Sequence, residues 1–215
     1  MQDDLKDLST SDLLANYSLT NDGSDEQQHQ YQDLIAVFNH TFASEFNTQL
    51  VKGDDEPIYM PANTDFEQYV SCDHHRIIFA HGFFASGMHE ISHWLVAGLA
   101  RHQLVDFGYW YIADGRNAQQ QAEFEKVEIV PQAIEWIICV AAGFQFRVSA
   151  DNLGDIVIDR LAFQHKIHDQ VRLYLENGLS ARTQALVTAL QAFYNTKPLV
   201  FTDFDYRGMY EREAI

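Results

Sequence analysis

The sequence predicts an α+β fold, a compact single domain rich in helix, with a small sheet and a metal site between helices. Three features carry that expectation. Apolar residues recur at helical spacing in several stretches, short β-favouring runs bounded by turn residues lie between them, and one central segment joins the two patterns. In that segment the run from Arg76 to Ala80 reads as a buried strand, Gly82 lets the chain turn, and a helix begins near Phe84.

The 215 residues are enough for one domain with a substantial core. Residues 1–30 are polar and acidic, too short of large apolar groups to offset chain entropy, and are expected to form a mobile N-terminal segment before a domain of 31–215. Thirty-one acidic residues against fourteen basic ones leave a net charge of −17, which repels nucleic-acid phosphate and anionic membrane surfaces and favours cationic groups. The two cysteines, Cys72 and Cys139, are too few for a disulfide or zinc framework. With no apolar run of membrane-spanning length and an acidic opening unlike a secretory leader, the expected location is the cytoplasm.

Leu34, Ile35, Phe38, Phe42 and Phe46 form the apolar stripe of a first helix from Tyr31. Leu50-Val51 and Ile58-Tyr59 are short extended segments on either side of the acidic turn Gly53 to Pro57. Beyond the central helix, Leu104 to Tyr111 is an aromatic, β-favouring run closed by Asp114-Gly115-Arg116. Gln119 to Lys126 is polar with helical propensity. Pro131 then marks the start of a mostly apolar helix, Gln132 to Ala142, ended by Gly143. Phe144 to Val148 alternates like a strand, Ile156 to Glu176 reads as a long helix, and Ser180 caps a last one.

The central helix carries His89-Glu90-Ile91-Ser92-His93. Residues four apart share a helix face, so both imidazoles can reach one metal ion, and Glu90 projects about a quarter turn away as a base, a ligand or a partner that orients one. His81 ends the strand just before the glycine turn and is a second candidate for a catalytic role. A carboxylate inside an apolar helix is costly unless compensated, and a divalent cation compensates strongly, so Glu135 is the first choice for a third ligand and Glu128 the alternative. His102 would lie on nearly the opposite side of the same helix.

Such a donor set suits a zinc peptidase, with Glu90 as general base, or a non-haem iron oxygenase, in which two histidines and a carboxylate leave positions open. The extended metzincin signature is absent, since Val96 and Leu99 stand where glycine and histidine would be needed.

The segment Ile78 to Trp94, together with Leu104 to Tyr111, Val130-Pro-Gln-Ala-Ile-Glu-Trp136 and Cys139-Val-Ala-Ala-Gly-Phe144, resembles the bacterial elongation factor P hydroxylases. The resemblance implies a compact α+β domain related to metal-dependent ribonucleases of rRNA maturation, not a jelly roll. It implies hydroxylation of a lysine of elongation factor P that already carries a β-lysyl group. It also implies a non-haem Fe(II) site built on His89 and His93 plus a carboxylate, with O2 as co-substrate. No arginine is placed by motif to clamp 2-oxoglutarate. The β-lysylated side chain bears ammonium groups, which an acidic protein attracts, whereas elongation factor P is itself expected to be acidic, so contact would be local.

Overall fold

The structure, a computed structural model, describes residues 29–106, 115–149 and 159–205. The helix α1 (Tyr31–Phe46) leads into β1 (Thr48–Lys52), followed by β2 (Ile58–Met60), β3 (His75–Phe79) and α2 (Phe84–Val96). A 3-10 turn at Arg101–Gln103 precedes three further helices, α3 (Ala118–Ala142), α4 (Arg160–Asn177) and α5 (Ala181–Tyr194). The α+β expectation holds: a small sheet sits beside a mostly helical body. No helix among the described residues is long and apolar enough to cross a membrane. The expected mobile segment lies outside the described residues except for His29 and Gln30. His29 packs its ring against Phe84, Phe144 and Tyr194, and its Nε2 lies 2.8 Å from the Ala142 carbonyl.

The strands run in the order β1-β3-β2, with β1 parallel and β2 antiparallel to the central β3. The segments flanking the acidic turn are therefore strands that do not pair with each other. Because β3 has sheet neighbours on both sides and cover on both faces, Ile77, Ile78 and Phe79 are all buried. Leu50, Ile77 and Phe79 face the helices, while Ile58, Met60 and Ile78 form a smaller apolar cluster on the other face.

The turn from β3 into α2 needs two left-handed residues in succession, His81 at φ 56° and Gly82 at φ 75°. Ser86 Oγ accepts from the Ala80 backbone N–H at 3.2 Å and ties the turn to the new helix. α2 then buries Met88, Ile91, Trp94 and Leu95 against α1 and α3. Its C-terminal carbonyls are capped from α5, since Arg182 donates to Leu95 O at 3.2 Å and Ala97 O at 2.7 Å with its guanidinium over the Trp94 ring.

Three expectations need correcting. Pro131 does not start a helix: α3 is one helix of 25 residues with Pro131 inside it, opened by an Asn117–Gln120 capping box and closed by Gly143 at φ 69°. The bond that proline cannot donate belongs to Val127 O, and Val127 is 55% exposed, so the break falls at the solvent side of the helix. Phe144 to Val148 keeps its alternation, with Phe146 buried between exposed neighbours, but joins no sheet. His102 is not on α2, which ends at Val96; it sits buried in the 3-10 turn, stacked on Trp94. Of the run Leu104 to Tyr111, Asp106 forms an isolated bridge with Tyr59, and 107–114 lie outside the described residues.

Candidate metal centre

Two helices build the site. On α2, His89 and His93 are one turn apart and their Nε2 atoms approach to 3.1 Å. On α3, the continuous helix puts Glu128, Gln132 and Glu135 at i, i+4 and i+7, so all three emerge from one face toward α2. All three are buried, with Glu128 1% and Gln132 0% exposed. A row of polar groups inside an otherwise apolar, enclosed helix is stable only if each finds a partner.

The partners differ. Glu135 Oε2 lies 2.8 Å from His89 Nδ1, which donates to it, leaving His89 Nε2 as the nitrogen turned toward His93. Glu128 Oε1 lies 3.5 Å from His93 Nε2, while its Oε2 accepts from Gln132 Nε2 at 3.2 Å. Gln132 is fixed in turn, donating to Ser149 O at 2.7 Å and accepting from Ser149 N at 3.0 Å. Donor atoms of His89, His93 and Glu128 all lie within 4.8 Å of one another.

This spacing fits a metal ion. With bonds of about 2.0–2.2 Å, neighbouring ligand atoms on one cation stand roughly 3.0–3.5 Å apart, and the separations of His93 Nε2 from His89 Nε2 and from Glu128 Oε1 fall there. Two neutral imidazoles and one carboxylate form an N2O set with a charge of −1, suited to a borderline divalent cation such as Fe(II) or Zn(II). A His89 Nδ1–H held by a carboxylate is the usual support for a metal-bound Nε2.

The remaining candidates lie elsewhere. Glu90 turns away from the histidine face toward a small cavity that His93 also borders, and burial pushes its pKa up to about 7, with the His89 charge opposing. His81 is exposed, its ring against Phe83. Its left-handed backbone makes it part of the turn's geometry. Gln132 and Ser149 were not singled out from the sequence; the i, i+4, i+7 polar row is the signal that could have found Gln132.

These features define an α+β domain whose two central helices bring two half-buried histidines and a buried glutamate into a set that could hold a divalent cation. Comparison with known proteins narrows that class. Residues 37–204 match the family described as elongation factor P hydroxylase. The chain is also 50% identical, over 170 residues that make up 79% of it and 92% of the relative, to a Haemophilus influenzae protein named elongation factor P lysine hydroxylase. The chain belongs to the elongation factor P hydroxylase family. Nothing in these matches favours a peptidase.

Proposed function

We propose that this protein hydroxylates the β-lysylated lysine of translation elongation factor P, the last step in that residue's modification, as a non-haem iron monooxygenase. The family and the name of the relative support the reaction and its protein substrate. The convergence of His89, His93 and Glu128 is the observation that carries metal dependence. A translation-factor substrate supports a cytoplasmic location.

In this reading His89 and His93, through Nε2, and Glu128, through Oε1, hold Fe(II), and Glu135 orients His89. Bound there, the iron would supply activation of O2, so that one oxygen atom could be inserted into a C–H bond of the lysine side chain and the other leave as water, with two electrons and two protons from an external donor and solvent. The rest falls to the protein. Glu135 accepts the His89 Nδ1 proton and so selects the tautomer. Gln132 holds one oxygen of Glu128 and leaves the other for the cluster. Enclosure by α2 and α3 limits water around the donor atoms.

Mass spectrometry of β-lysylated elongation factor P, incubated in air with the Fe(II)-loaded protein and a reductant, tests the reading. A gain of one oxygen on the modified lysine is expected, abolished in folded His93→Ala. An unchanged mass contradicts the reading, and cleavage would point to peptidase chemistry instead.

A further inference from the structure

Glu90 is 9% exposed, yet no described residue gives its carboxylate a hydrogen bond. It borders a cavity of about 30 Å³ between α2, the sheet and the 3-10 turn, room for one water-sized group. The Glu90 carboxylate keeps some access to solvent space, so a ligand that brings hydrogen-bond donors and positive charge can meet it there.

The rest of the lining agrees. Of the nearby arginines, Arg101 forks onto Asp106 and Arg182 lies over the Trp94 ring, so Glu90 is the lining carboxylate that no described arginine pairs. Tyr59, Trp94 and His102 supply aromatic walls of the kind that surround ammonium groups. Those walls are held independently of any ligand. Tyr59 stacks on His75 and donates to His102 O at 3.1 Å, and His102 stacks on Trp94. His93 belongs both to this lining and to the donor cluster, so the two sites share a wall.

We propose that this cavity seats one ammonium group of the β-lysylated lysine, with Glu90 as its counter-ion. The inference rests on the function proposed above and adds to it how the modified side chain is told from the unmodified one. The cavity admits a head group and not a chain, so the carbon skeleton runs outside it, past His93 and the cluster.

Binding of β-lysylated and unmodified elongation factor P, measured without oxygen on the Fe(II)-loaded protein and its Glu90→Gln variant, tests this. The native protein should prefer the modified factor by about 10- to 100-fold, the range a charge-assisted hydrogen bond supports. The variant, with unchanged iron content and melting temperature, should bind both forms alike. A variant that keeps the preference overturns the ammonium seat and leaves the proposed reaction standing; a native protein with no preference overturns the substrate reading and the seat together. Ammonium ion, water-sized and so small enough for the cavity, should compete with the modified factor and not the unmodified one on the native protein. Absence of that competition overturns the seat without recourse to a variant.

Discussion

His89 and His93 are one turn apart on the same helix and titrate in opposite directions in the metal-free protein. Burial works against charging either ring. At His93 burial prevails, helped by the neighbouring His89 charge, and holds the pKa down to about 4. At His89 burial is opposed by the Glu135 carboxylate together with Glu90 and Glu128, and the pKa rises to about 10. At neutral pH the metal-free pair is therefore a charged His89 donating from Nε2 to a neutral His93. A cation must displace that proton. Metal affinity should rise with pH, by up to about tenfold per unit below pH 10, and calorimetry in buffers of different ionisation enthalpy should count about one proton released. Glu135→Gln removes the main cause of the raised pKa, so it should flatten this pH dependence while weakening binding by roughly 10- to 100-fold at high pH. Both carboxylates were legible in the sequence as acids in an apolar setting. The division of labour proposed for them was not, because a ligand and an orienting partner would differ only in which imidazole nitrogen each one meets.

The same limit appears at the scale of the element. Reading Pro131 as a helix start leaves Glu128 outside the helix that carries Glu135. The unbroken α3 sets them two turns apart on one face with Gln132 between. Proline's usual penalty misled here because the orphaned carbonyl, at Val127, lies on the exposed side. The central strand, glycine turn and helix were legible because their pattern is local. The order of the strands was not, since inserting β3 between β1 and β2 is a long-range choice. Gln132→Ala would strip partners from Glu128 Oε2 and from both Ser149 backbone groups. Denaturant unfolding should register a loss of about 2–4 kcal/mol, with weaker metal binding as Glu128 loosens. Gly87→Ala tests the packing of α2 on α1. A methyl there would come within 2.8 Å of Leu34 Cδ2, itself fully buried. Overpacking should exceed the gain in helix propensity and lower stability by roughly 1–2 kcal/mol in the same assay.

For the whole molecule, a net charge of −17 holds acidic partners at a distance while drawing cationic groups in. If the partner is an acidic translation factor, its approach is opposed by the overall fields and favoured only at the modified side chain. Raising ionic strength from about 0.01 to 0.15 M, which shortens the screening length from about 30 to 8 Å, should therefore speed association in stopped-flow measurements. A cationic partner would show the reverse. The α+β class and the helix-rich body could be read from periodicity and composition, whereas the docking of α3 against α2, which makes the site, depends on packing that no local pattern encodes.

In the proposed site His89, His93 and Glu128 hold one cation while Glu135 orients His89 from behind. A crystal structure of the iron-loaded protein, with the metal located by its anomalous scattering, tests it most directly. The account predicts a single peak bonded to both Nε2 atoms and to Glu128 Oε1, with Glu135 still on His89 Nδ1. A peak bonded to Glu135 in place of Glu128, or one away from the two imidazoles, would contradict it.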